Sequence, residues 1–372
     1  MRETYFDNAA TTVVRHEVSA AMREAQDHYG NPASYHLLGQ RARHIINDVR
    51  VIIANRINAK PNEIIFGSGG TESCNQAILG YVYANSHKGN HIISTSIEHV
   101  CVLNTLAHLE DEGYKVTYLP VDELGMIRHY DLEEAISSDT ALISIMAANN
   151  EIGSIMPMQE IGDIAKKYGI ALHVDAVQAI GHFPIDVNLL NIAMMSFTAH
   201  KLNGPKGAGA LYVKENIKLD HLFFGAGQEF GVRSGTPNVQ GIVGLGKAIE
   251  LIDYSRDFIS LKNRLKDGIS NSISNVIFNG AENGLSNILS VTFVGLDAIR
   301  LIAELNRYGI YVSRGSACAS RSNDPPHVLT AIGLSPDLAN ATIRFSFGLF
   351  NTIDEIDYTV NTLASLVPVL RR

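Results

Sequence analysis

Between His91 and Val174 short apolar strands and helical stretches take turns: strand His91–Thr95, a helix from about His99, strand Lys115–Leu119, a helix from about Leu132, strand Thr140–Ala147, helix Met158–Tyr168 and strand Ile170–Val174. Such alternation predicts an α/β architecture, a mostly parallel sheet covered by helices on both faces. Ligands of such sheets collect at the carboxyl ends of the strands. Three polar residues fall there: His99 just after ISTSIEH, Asn150 after ALISIMAANN, and Asp175 closing its own strand in GIALHVDAVQ. A lone histidine at a helix start is more often a cap than a catalyst, but three polar residues at strand ends point to a site.

Ser196–Gly209 reads SFTAHKLNGPKGAG and joins two further strand-like runs, Ile192–Met195 and Gly209–Val213. Gly204, Gly207 and Gly209 allow a sharp turn there, and Pro205 stiffens it. Lys201 lies in that turn and has two readings. Taken alone, a lysine between strands is most often a solvated surface charge. The other reading holds it at the floor of a cleft, where desolvation lowers its pKa and fits the amine for Schiff-base chemistry. Asp175 upstream favours the second. A Schiff-base lysine with a buried acid is what pyridoxal 5'-phosphate (PLP) asks of a protein, the acid keeping the ring nitrogen protonated. At Glu63–Gly80, EIIFGSGGTESCNQAILG, a strand meets a glycine turn that opens a helix at Thr71, the form of an anion site. It is neither a P-loop nor a dinucleotide fingerprint, and by itself such a turn is a weak signal.

At 372 residues the chain is long for one core, and two domains are expected. Residues 13–254 read as the large one; 1–12 and 255–372 read as a smaller α+β domain, with strands Val276–Phe278, Ile288–Phe293, Ile310–Ser313 and Ala341–Phe347. The net charge of −8 and the lack of a basic run argue against direct nucleic-acid binding. No apolar stretch reaches membrane-spanning length, and MRETYFDNAATT has no signal-peptide core, so no membrane is expected. The three cysteines, Cys74, Cys101 and Cys318, form no CxxC pair, which suits a reducing cytoplasm. Cys101, in the helical run HVCVL, and Cys74 are expected to be packed as small hydrophobes. Cys318 differs: SRGSACASRSNDPP, Ser313–Pro326, reads as a mobile polar loop, and a thiol near arginine holds more thiolate. Arg344 stands in the apolar strand ATIRFSFG, as a carboxylate's buried partner or as a bidentate clamp for a substrate carboxylate.

The strings HVDAVQAIGH and AHKLNGPKGAG, in this order and spacing, resemble the cofactor motifs of the NifS/IscS-like cysteine desulfurases in the class V aminotransferase family, and GSAC resembles their long-loop group. The resemblance runs over nearly the whole chain. It implies PLP fold type I and conversion of L-cysteine to L-alanine, with a persulfide left on Cys318 for a sulfur-acceptor protein such as an iron–sulfur scaffold or a tRNA-thiolation enzyme. It places YFDNAATT beside the active site and makes the turn around Gly70 the phosphate cup, with Thr71, Thr198, His200 and Thr236 on the phosphate. Asp175 falls at the ring nitrogen, Gln178 and Asn150 at the phenolic oxygen, and His99 stacks on the ring and shuttles protons. Lys201 is the cofactor-bearing base, and Asn31 with Arg344 takes the substrate carboxylate. The glycine-rich loop of GAGQEFGVRSGTPNVQG reaches across a homodimer interface, with Phe230 where many relatives carry a basic residue. A transaminase or selenocysteine lyase of the same fold, or a catalytically silent scaffold paralogue, remains as an alternative; Cys318 disfavours the transaminase, and Lys201 and Cys318 together disfavour the scaffold.

Overall fold

The computed structural model describes residues 3–315 and 325–371. Among them the strands are β1 (Thr4–Tyr5), β2 (Ile64–Gly67), β3 (His91–Thr95), β4 (Lys115–Leu119), β5 (Thr140–Met146), β6 (Ala171–Asp175), β7 (Met194–Thr198), β8 (Gly209–Val213), β9 (Val276–Asn279), β10 (Ile288–Phe293), β11 (Ile310–Tyr311) and β12 (Thr342–Ser346). Seven of them form one sheet in the order β2-β8-β7-β6-β5-β3-β4. The run from β7 to β4 is parallel, and β8 lies antiparallel to both β7 and β2. The predicted α/β architecture is therefore present. Every residue of β3, β5, β6, β7 and β8 is buried, because helices cover both faces, and this is why these strands read as unbroken apolar runs.

Polar residues survive inside those strands because they bond to one another. Ser94 donates to the Ser144 carbonyl at 2.7 Å, and His173 on β6 spans Ser144 Oγ (2.9 Å) and Ser196 Oγ (3.0 Å). Burial holds the His173 imidazole neutral, its pKa pushed down to about 3.

A second core, containing Phe6, Leu265, Val291, Leu301, Phe345 and Ile356, gathers around the antiparallel sheet β12-β10-β9 and the parallel pair β1–β11. The amino terminus connects the two cores. After β1 its backbone bonds to β12, with Ser346 N donating to Phe6 O at 2.7 Å; residues 9–12 then pass to the large sheet, where Thr12 N donates to His200 O at 2.9 Å.

Several element ends differ from the sequence reading. The strand expected at Ile192–Met195 starts at Met194 and runs on to Thr198, which brings the Lys201 turn closer to the sheet. The strand expected through Ser313 stops at Tyr311, and Ser313 forms an isolated bridge to Arg344. The helix from His327 stops at Ala331 because Gly333 turns the chain with φ of 93°; Ser335 then caps a second short helix, Pro336–Asn340. No helix among the described residues is long and apolar enough to cross a membrane.

Candidate active site

Where β5, β6 and β7 end, one cavity opens, walled on one side by the start of the helix Gly70–Ala84 and on another by the segment after β1. Ten of the predicted site residues line it: Gly70, Thr71, His99, Asn150, Asp175, Gln178, Thr198, His200, Lys201 and Arg344.

Lys201 reaches the cavity because β7 gives way to a single 3-10 turn, Ala199–Lys201, closed by Ala199 N donating to Ala208 O at 3.0 Å. Its Nζ donates to the carbonyls of Ala9 and Ala10. The glycine at 209 is required by a close approach: a Cβ there would sit 2.6 Å from Gly69 Cα, so any side chain would push the phosphate-cup turn off β8. Asp175 ends β6, buried, with Oδ1 accepting from Val177 N at 2.9 Å. Burial, reinforced by the negative character of Cys101, pushes its pKa up to about 6.

His99 caps the helix Val100–Asp111: its Nδ1 accepts from Cys101 N at 3.2 Å and lies 3.0 Å from Cys101 Sγ. Accepting at Nδ1 places the neutral ring's proton on Nε2. Burial and the neighbouring Lys201 and Lys206 charges push the pKa of His200 down to about 4, so it too is neutral near pH 7. Gln178 Nε2 donates to Ala9 O at 2.8 Å, the carbonyl that also holds Lys201. Arg344 is 2% exposed; its Nη1 donates to Asn150 O and its Nη2 to Asp7 Oδ1, both at 2.8 Å, while Nε has no partner.

Two predicted residues stand apart from this cavity. Asn31 is exposed and its Oδ1 accepts from Ala33 N at 2.9 Å, closing the Asn-Pro turn, and Thr236 is exposed near the end of its glycine loop. Cys318 lies outside the described residues. The packing expected for Cys101 needs correction: it is only half-buried and lines the cavity, because the second residue of a helix can face the site that the cap faces. Cys74 is fully buried as expected. Sequence reasoning also missed Asp7 as the carboxylate facing Arg344; the only signal was an acid in the string placed beside the site.

The donor set fits PLP. Unpaired N–H groups of a helix start, two threonine hydroxyls (Thr71, Thr198) and the neutral imidazole of His200 converge as a phosphate would require. A buried carboxyl faces the cavity at the other side, and a lysine amine reaches it from the turn.

The fold has known relatives. The class-V aminotransferase family model matches residues 4–359. A curated cysteine desulfurase IscS of Methanosarcina thermophila is 46% identical over 376 residues, covering 100% of this chain and 93% of its own. Among solved structures, a NifS-like protein superposes with a TM-score of 0.93 at 37% identity, covering 99% of this chain and 100% of that one. SspA in complex with cysteine gives 0.84 at 39% identity, covering 94% and 100%. The chain belongs to the class-V aminotransferases, the PLP-dependent enzymes of fold type I, and within them to the cysteine desulfurases.

Proposed function

We propose that this protein is a PLP-dependent cysteine desulfurase that converts L-cysteine to L-alanine, leaving the sulfur as a persulfide on Cys318. The observation that carries the reading is that the Lys201 turn, the buried Asp175 carboxyl, the helix start at Gly70 and the Arg344 guanidinium all open on one cavity.

Bound PLP supplies an electron sink at the substrate's α-carbon. The chain's residues do the rest. Gly70, Thr71, Thr198 and His200 hold the phosphate; Asp175 faces the ring nitrogen, with Gln178 and Asn150 on the phenolic side. Arg344 orients the substrate carboxylate; the partnership of Asn31, which lies outside this cavity, rests on the family resemblance alone. Lys201 holds the cofactor and then moves the α-proton at Nζ, while His99 lies against the ring and relays a proton at its imidazole. The Cys318 thiolate attacks the substrate sulfur: an S–S bond forms, the C–S bond breaks, and the electron pair left on carbon takes up a proton to give alanine. The persulfide then passes to an acceptor protein, an iron–sulfur scaffold or a tRNA-thiolation enzyme.

The same reading makes the protein a cytoplasmic homodimer, with Thr236 serving the other subunit's phosphate; its exposure and its distance from this chain's own cavity support that assignment. It also divides the chain into a large domain, 13–254, and a small one, 1–12 with 255–372, for which the separate core around Phe345 is the support.

The test is peptide mass spectrometry after incubation with L-cysteine and no reductant. One added sulfur on the Cys318 peptide with matching alanine is expected. Sulfur on Cys74 or Cys101 instead, or full alanine production by Cys318→Ser, sinks the mechanism.

A further inference from the structure

Beside Asp175 lie two thiols that the desulfurase chemistry leaves unused, and that of Cys101 lines the same cavity. Cys74 Sγ, Cys101 Sγ and a carboxylate oxygen of Asp175 all lie within 4.8 Å of one another. Cys74 is fully buried in the first turns of the helix Gly70–Ala84, and Cys101 is the second residue of the helix Val100–Asp111.

We propose that Cys74, Cys101 and Asp175 form a site for a thiophilic divalent cation of the zinc class, bound by the cofactor-free chain and excluded when the cofactor is in place. The donor set is S,S,O, which suits zinc, cadmium or cobalt and not the oxygen-seeking magnesium or calcium. Tetrahedral zinc holds sulfur at about 2.3 Å and oxygen at about 2.0–2.2 Å, so its ligand atoms stand about 3.3–3.8 Å apart. Side-chain rotations that close the present spacing by up to about 1.5 Å meet that geometry. Two thiolates and one carboxylate around a doubly charged cation leave one net negative charge, and Cys101 sits in the first turn of its helix, where negative charge is favoured. Binding releases the thiol protons to solvent. The fourth position opens on the cavity that Cys101 lines, which gives the ion its entry path and room for a water.

The exclusion rests on the cofactor reading, because Asp175 cannot serve both a cation and a ring nitrogen; the metal site itself does not. Full-length protein stripped of PLP with hydroxylamine and kept reduced is titrated with Co²⁺. Thiolate-to-cobalt charge-transfer absorption should appear at one equivalent and be removed by Zn²⁺. Cys74→Ser and Cys101→Ser should each weaken Co²⁺ binding by at least about tenfold, whereas Cys318→Ser should not change it. Restoring PLP first should suppress the absorption. In the unmutated stripped chain, Zn²⁺ should also slow iodoacetamide labelling of Cys101, read by peptide mass, by at least about tenfold. Absence of the charge-transfer absorption, its persistence in both serine variants, or unprotected Cys101 overturns the site. Full absorption in the PLP-loaded protein overturns the exclusion. Failure of the cofactor reading itself would show separately, as a chain that takes up no PLP.

Discussion

Arg344 and Asp7 face one another at 2.8 Å across 337 positions of sequence, one nearly sealed from solvent and the other partly open to it. The guanidinium is thus already oriented by a carboxylate before substrate arrives, and it keeps one donor, Nε, without a partner. In the proposed role, a substrate carboxylate would add to this arrangement instead of creating it.

Removing that clamp should be costly in catalysis and silent in cofactor binding. Arg344→Ala should lower kcat/KM for cysteine by roughly 30- to 1000-fold, about 2–4 kcal/mol of transition-state binding. Arg344→Lys keeps the charge but loses the fork, and should fall between the two. Steady-state kinetics beside the PLP absorption spectrum separate the cases; unchanged kcat/KM in the alanine variant would make the arginine a structural partner of Asp7 alone.

Lys201→Ala should abolish turnover and the attachment of cofactor to protein. Borohydride reduction followed by digestion should put the pyridoxyl label on the Lys201 peptide of the unmutated chain and on no peptide of the variant. A label on another lysine would remove Lys201 from its role.

His173 carries an acid-side stability dependence. Its folded pKa of about 3 lies below the unfolded value of about 6.5, so at intermediate pH the unfolded chain binds more protons than the folded one. Its contribution is full above about pH 6.5 and is lost progressively as pH falls towards 3. His173→Asn should flatten that part of the profile, measured as Tm against pH. An unaltered slope would assign the acid limb to other groups.

Glu98 acts in the opposite sense. Burial raises its carboxyl to about 8, so the folded state binds the extra proton and loses stability as pH climbs from about 4.5 to 8. Glu98→Gln should therefore narrow the stability difference between pH 6 and pH 9 in chemical denaturation. A variant with the same pH dependence as the unmutated chain would contradict the assignment.

Arg50 lies between the rings of Phe66 and Phe230, 4.6 and 4.9 Å from their centroids, and its Nη2 meets Glu229 at 2.5 Å. Glu229→Ala leaves a buried guanidinium unpaired and should cost about 3–5 kcal/mol in urea unfolding. Phe230→Ala removes an outer ring and relieves nothing buried, and should cost about 1 kcal/mol or less. Equal losses in the two variants would mean that the ring, not the ion pair, holds Arg50.

What could be read from the sequence was whatever repeats locally. The strand–helix alternation exposed the large sheet, and Asp175 was visible because a strand's end is marked by the run before it. The Lys201 turn showed itself through its glycines. Phe230 stands out as a departure, but no spacing marks that its ring rests on Arg50, 180 positions earlier. Asp7 was equally hidden: its partner lies on β12, and a pairing over such a span leaves no spacing to read. Cys101 was misjudged for a local reason. HVCVL has the look of a packed helix, yet at a helix's first turn one residue's rotation decides between core and cavity. Strand β1 has no sequence signal of its own, because two residues are too few to show alternation, whereas its partner β11 lies within the expected strand Ile310–Ser313.

The contact between residues 7 and 344 also sets an order in time. A ribosome extends the chain from its amino terminus, so Lys201, Asp175 and the helix start at Gly70 all exist before β12 is made. Asp7 waits through nearly the whole of synthesis for its guanidinium. Until then the nascent protein carries the groups proposed to hold the cofactor but not the one assigned to grip an amino acid's carboxylate, and on that reading competence for substrate comes last.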